Sequence, residues 1–112
     1  MDERMTQLVR GTLHALILRT LAAGPLHGYA IASRIEERGG GALTLDDGAL
    51  YQALHRMQER GWLHSEWGHA ENGKRARFYR LTPRGRRQLD LETASFFRYV
   101  AAVTRILEPA PA

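Results

Sequence analysis

Tyr51, Gln52, His55 and Arg56 lie in the stretch DDGALYQALHRM, residues 46–57, and each carries a group that can hydrogen-bond outward. Positions 51 and 55 are one helical turn apart, as are 52 and 56, so a helix would set all four on one side. Leu50, Ala53, Leu54 and Met57 fall at i, i+3, i+4 and i+7 and form an apolar stripe on the other side. Burying that stripe leaves the polar side in the open. A glutamine amide sets a donor beside an acceptor, which suits adenine N6 and N7. An arginine fork suits guanine O6 and N7, or a phosphate. Tyr51 adds a hydroxyl and a ring able to pack on a thymine methyl or a sugar. His55 also reads as a neutral surface histidine, and the whole face as an ordinary solvated one.

A second group has a different chemistry. Lys74, Arg75 and Arg77 directly follow Asn72-Gly73, a pair that tolerates positive φ and suits the tight reversal of a hairpin. Cations on such a turn would supply affinity for phosphates and little sequence information. The charge distribution agrees. The 112-residue chain has a formal net charge of +4. Residues 51–87 hold nine Arg or Lys against three acids, a local +6, whereas residues 1–50 hold five against six and residues 88–112 two against three. Positive charge packed into one central segment is the pattern of a polyanion-binding face, for which double-stranded DNA is the expected partner, or equally of an ordinary solvated basic surface. A third candidate is the N-terminus of a helix near His27, Gly28 and Tyr29, whose free N–H groups suit a phosphate. Tyr29 reads equally well as a core residue.

Other chemistries lack their parts. His14, His27, His55, His64 and His69 are accompanied by no HExxH pair and no cysteine, so no catalytic residue, metal site or cofactor is expected. His64 and His69 could meet across a hairpin, but two imidazoles are not a site. Gly39-Gly40-Gly41 lacks the Lys and Ser/Thr of a phosphate-binding loop. The absence of cysteine fits a reducing cytoplasm. The charged N-terminal stretch does not read as a secretory signal, and the apolar segment 13–23 is too short and too interrupted to span a membrane.

The positioning elements follow from periodicity. Leu13, Leu16, Ile17 and Leu21 predict a first helix over residues 6–22, ended by Gly24-Pro25. Leu8, Val9 and Leu18 widen its stripe beyond one core face, which implies a second partner. A second helix runs from 27 or 28 to 38, with Ile31 and Ile35 buried and Tyr29, Ala30 and Ala32 beside them. The third follows, capped by Asp46 or Asp47 and closed by Gly61. The period then becomes alternating. Residues 62–67 and 77–81 predict two strands, with Leu63 and Trp67 to one side and Tyr79 and Leu81 inward. Thr82-Pro83 opens a last helix. Its residues Leu89, Phe96 and Val103, with Val100 and Leu107, are spaced by sevens as a packing seam. With Leu8, this seam is expected to form a dimer interface, the alternative being a fold back onto the first helix.

Three helices and a basic hairpin describe a winged helix-turn-helix. The expected class is mainly α with a small β-hairpin, plus a long C-terminal dimerisation helix. The expected divisions are a winged domain at 6–82, the dimerisation helix at 83–107 and a disordered tail at 108–112.

The chain resembles the PadR-like family of bacterial transcriptional regulators. The resemblance rests on LVRGTLHALILRTLA, GPLHGYAIASRIEE, GALYQALHRMQERGWL, EWG and ENGKRARFYRLTPRGRRQL, which follow one another across residues 6–90. It implies a homodimer in which the final helix packs on the partner's first helix, as in the compact branch of the family. It also implies two recognition helices in successive major grooves, and a small-molecule effector at the dimer interface that weakens DNA binding. The family commonly has Ser or Thr where this chain has Ala49 and Pro where it has Gln52, so operator preference is expected to differ. The function expected is a homodimeric repressor on an inverted-repeat operator, released by an effector. The competing function is a winged helix used for protein contacts or for unspecific DNA binding, without effector response.

Overall fold

The computed structural model describes residues 1–111. The elements are α1 (Glu3–Leu21), β1 (Leu26–His27), α2 (Gly28–Arg38), α3 (Asp47–Glu59), β2 (Leu63–His69), β3 (Arg75–Leu81) and α4 (Pro83–Leu107). The three strands form one antiparallel sheet in the order β1-β3-β2. The chain is mainly α with a small antiparallel sheet, the architecture its periodicities predict.

Each helix starts where a side chain accepts an otherwise free N–H. Asp2 Oδ1 accepts from Met5 N at 2.9 Å, so α1 begins three residues before the expected start. Asp46 Oδ2 accepts from Ala49 N at 2.8 Å to begin α3. Thr82 Oγ1 accepts from Gly85 N at 3.0 Å to begin α4, and it also donates to the Gly61 carbonyl at 2.6 Å. This second bond ties the start of α4 to the end of α3, where Gly61 turns the chain at φ +76°.

The core lies where α1, α2 and α3 meet the base of the sheet. Ile17, Leu18, Leu21, Ile31, Leu50, Leu54 and Met57 fill it. Burying a side chain of this kind contributes about 1.5–3 kcal/mol, so the stripe of α3 is held inward firmly enough to fix its other face outward.

Several expectations are corrected here. Tyr29 is not beside the buried edge of α2. It is 76% exposed, because it stands two residues before Ile31 and thus on the far side of the helix. The strand β1 was not legible: two residues leave no alternation to read, and they become a strand only by pairing Leu26 with Tyr79 and His27 with Phe78. Both hairpin strands run further toward the turn than periodicity suggests. Trp67 shares a face with Leu63, but Leu63 is buried and Trp67 is 56% exposed, because the hairpin outruns the body. In the turn only Gly73 has positive φ, at +81°; Asn72 instead accepts from Lys74 N through its side chain at 3.0 Å.

Leu89 is the main correction in α4. It is 3% exposed and belongs to the chain's own core, so it is not available to a partner. The first two turns of α4 still lie against the body, and Gly85 is buried there as well. The expected boundary between residues 82 and 83 therefore cuts through packed structure. Beyond those turns Phe96, Phe97, Tyr99, Val100, Ile106 and Leu107 are all exposed. Helix α4 would measure about 37 Å at ~1.5 Å per residue, which accounts for the elongated outline of 61 × 30 × 21 Å. Residues 108–111 carry no helix, and the tail expected at 108–112 ends on Ala112, outside the described residues.

Candidate nucleic-acid interface

The four polar residues of α3 lie on its solvent side. Tyr51 and Gln52 are in the first half of the helix, and Tyr51 faces the wing. His55 contacts the Glu59 carboxylate one turn further along the same surface. Arg56 leans back toward α1, with Nη2 3.5 Å from His14 Nε2. Burial holds the His14 imidazole below its usual range, and the nearby Arg56 and Arg60 guanidinium groups push it the same way. A neutral His14 is an acceptor for Arg56 rather than a competing cation.

Tyr51 fits against the first residue of α2. A Cβ on Gly28 would lie 2.6 Å from the Tyr51 hydroxyl oxygen, so the ring occupies the space that any other residue would need. Glycine at 28 is thus a close-approach residue. His27 caps α2, its Nδ1 accepting from Ala30 N at 3.3 Å. That bond leaves the proton of a neutral ring on Nε2. The ring stacks loosely on Tyr29, 6.5 Å away, and meets the Phe78 ring edge-on at 5.4 Å.

These groups converge with the wing. A cleft of about 410 Å³ is lined by His27, Tyr29, Tyr51, Trp67, Lys74, Arg75 and Arg77, among others. It joins the start of α2, the start of α3 and the hairpin, the three places that the sequence marks separately. Gln52, His55 and Arg56 lie outside this cleft and continue the exposed surface along α3. Trp67 is the one aromatic or charged lining residue to which the sequence assigned no DNA role. The readable signal was its parity with Arg77, which the antiparallel register sets directly opposite. Trp62, by contrast, packs on the core and meets His14 edge-on at 5.6 Å.

A second surface lies between α1 and α4. Its groove, of about 780 Å³, is lined by Leu8, Leu16, Phe96, Phe97, Val100 and Val103, with Tyr99 at its side. Leu8, Phe96, Val100 and Val103 come from the expected seam. Phe97 and Tyr99 were missed because a strict heptad count on α4 skips them, and Leu16 because its spacing assigned it to the core stripe of α1. Leu107 is exposed but does not line the groove.

No metal-binding cluster forms among the described residues. His64 and His69 stand five apart on the same strand and so on opposite faces, and His64 contacts Glu66 at 3.0 Å instead. No helix among the described residues is long and apolar enough to cross a membrane.

A helical body that buries one stripe of α3 and carries a basic hairpin beside it defines a winged helix-turn-helix protein. Residues 17–91 match the family described as transcriptional regulator PadR-like, and the chain belongs to that family. The family and its structural neighbours are transcriptional regulators, not enzymes. A PadR family regulator from Eggerthella lenta is similar at 30% identity with a TM-score of 0.80, over 94% of this chain and 89% of that one. A transcriptional regulator from Clostridium thermocellum shares the fold at 24% identity and a TM-score of 0.83, over 91% and 99%. Bacillus subtilis PadR in complex with operator DNA shares it at 21% identity and a TM-score of 0.61, over 89% and 49%. Among curated proteins, an uncharacterized protein of Lysinibacillus sphaericus is 25% identical over 84 residues, 75% of this chain and 77% of its own length. An uncharacterized 37.1 kDa protein in a transposon of Streptomyces fradiae is 41% identical over 83 residues. Those residues are 74% of this chain and only 22% of that protein.

Proposed function

We propose that this regulator binds double-stranded DNA as a homodimer on an inverted repeat, represses by covering a promoter, and is released by a small-molecule effector. The observation that carries the reading is the shared direction of two chemistries. Tyr51 of α3 and the cations of the wing line one cleft at the start of α2, and Gln52, His55 and Arg56 continue the exposed surface of α3 beyond it. In this reading α3 enters a major groove; at 13 residues it would be about 20 Å long. Gln52 and Arg56 read base edges, with Tyr51 and His55 beside them. Lys74, Arg75 and Arg77 take phosphates or the neighbouring minor groove. His27, Gly28 and Tyr29 offer a further phosphate contact, and the exposure of Tyr29 favours that role over a core role. The operator complex of the Bacillus subtilis protein of the same fold supports DNA as the partner.

The apolar groove between α1 and α4 supports the dimer. Monomers seldom leave such a stripe in water, and a second copy would cover Leu8, Phe96, Phe97, Val100 and Val103. The two reading helices would then sit about one DNA turn apart, ~34 Å. The same groove is concave and apolar enough for a small molecule. An effector lodged there would alter how the copies pack, and with it the spacing of the reading helices.

Titration of the full chain against duplex DNA across salt tests the proposal. A protein making ~6–10 phosphate contacts loses ~10³–10⁵ in affinity between about 50 and 200 mM salt. Absence of DNA retention at low salt would instead identify a protein-interaction module. Equal affinity for selected and scrambled duplexes would identify an unspecific coat.

A further inference from the structure

We infer that Trp67 is a positioning residue of the wing: its indole holds Arg75 and Arg77 ready so that their outer N–H groups can meet DNA phosphates. This rests on the DNA-binding reading above and adds to it a residue with no direct contact of its own.

The geometry is specific. Trp67 pairs with Arg77 across the ladder, and the next pair on the same face is His69 with Arg75. The Arg75 guanidinium carbon lies 4.4 Å from the indole centroid and that of Arg77 lies 5.1 Å away. Both are within the ~6 Å reach of a cation–π contact. One ring thus carries two cations. Among the described residues the contacts between a basic side chain and a carboxylate are His55 with Glu59 and His64 with Glu66, so neither arginine is engaged by a carboxylate.

Simpler accounts of this tryptophan fit less well. It is not a core residue, because more than half of its surface is exposed. It is poorly placed to stack a planar ligand, because guanidinium groups already lie on its ring. A carboxylate partner would consume the N–H donors of an arginine. A ring face leaves the in-plane donors free for a phosphate fork. It also removes rotamer freedom before DNA arrives, so less is lost on binding. The wing outruns the body and has no core to hold its side chains, which is where such a device has most effect.

The test is a double-mutant cycle on the full chain, read by DNA affinity across salt. Trp67→Leu is expected to weaken binding about 5- to 30-fold, since each of the two arginines must then be ordered on binding and each such ordering corresponds to several-fold in affinity. Its salt slope should stay near wild type, and so should its unfolding midpoint. Trp67→Phe, which keeps a ring, should recover much of the loss. Replacing Arg75 and Arg77 by Ala should lower the salt slope by about 2. In that background Trp67→Leu should cost less than about twofold. Side-chain proton shifts of Arg75 and Arg77 should lose their ring-current displacement in Trp67→Leu even without DNA. An equal loss with and without the arginines would mean that Trp67 touches DNA itself and would overturn the inference. So would an unchanged affinity in Trp67→Leu. If the wild type bound no duplex at low salt, the DNA reading itself would fail and the inference with it.

Discussion

Gly28 shows how one missing side chain can organise a surface. The Tyr51 ring occupies the volume that a Cβ at 28 would fill, and so it is held over the start of α2. In Gly28→Ala the far end of the tyrosine must swing away, which is cheap for folding, and at this first helical position alanine is no worse a helix residue than glycine. The unfolding midpoint is therefore expected to hold or rise, while DNA affinity falls about 3- to 10-fold, as for one lost hydrogen bond. Thermal melts and a binding titration on the same samples check this. Glu92 gives a prediction in pH. Its Oε2 is buried without a partner among the described residues, and burial pushes its carboxyl above the ordinary 4.5, against the opposing pull of Gln88 and Arg60. The folded chain then binds this proton more tightly than the unfolded chain, so this group's effect on stability worsens as pH rises from about 4.5 through the raised value. Glu92→Gln should therefore raise the melting midpoint at pH 7, with the gain shrinking toward pH 4. His14 adds the opposite slope. Its lowered value means that stability falls as pH drops below about 6.5, where the unfolded imidazole takes its proton first.

Among the elements, the joint between α3, β2 and α4 carries the most constraint. A Cβ on Gly85 would stand 2.1 Å from the Trp62 carbonyl oxygen, and backbone cannot swing aside as a side chain does. Gly85→Ala is expected to cost about 2–3 kcal/mol or more and to lower the unfolding midpoint by roughly 10 °C or more. A melt within a degree or two of wild type would show that α4 is not locked there. The bounds of α2, α3 and α4 were legible because each has a local punctuation mark: the glycine run after Arg38, Asp46 as a cap, and Thr82-Pro83. What stayed hidden depends on contacts distant in sequence. Strand β1 exists only through its pairing with β3. The exposure of Trp67 depends on how far the hairpin projects, and the burial of Leu89 on how long α4 stays against the body. The heptad count placed Leu89 in a seam with Phe96 because period alone cannot tell which turn of a helix leaves the core. The candidate reading face was legible for the converse reason. Leu50, Ala53, Leu54 and Met57 are so plainly a buried stripe that the opposite face had to be free.

Across the whole molecule, the exposed face of α3 with the wing and the apolar α1–α4 groove share no lining residue, so the proposed DNA contact and the proposed dimer can be perturbed one at a time. Phe97 is 63% exposed and lies on the groove, away from the wing. Phe97→Asp is expected to leave the chain folded but monomeric by sedimentation, with DNA affinity reduced by tenfold or more through loss of the second reading head. A dimer that survives this change would place the interface elsewhere. Selection of bound DNA from a random duplex pool tests most directly whether the outward face of α3 reads duplex sequence. The wild type should enrich an inverted repeat with half-site centres ~34 Å apart. Gln52→Ala should shift the base preference within each half-site without changing that spacing. A pool that stays random, or one identical for wild type and Gln52→Ala, would contradict the account.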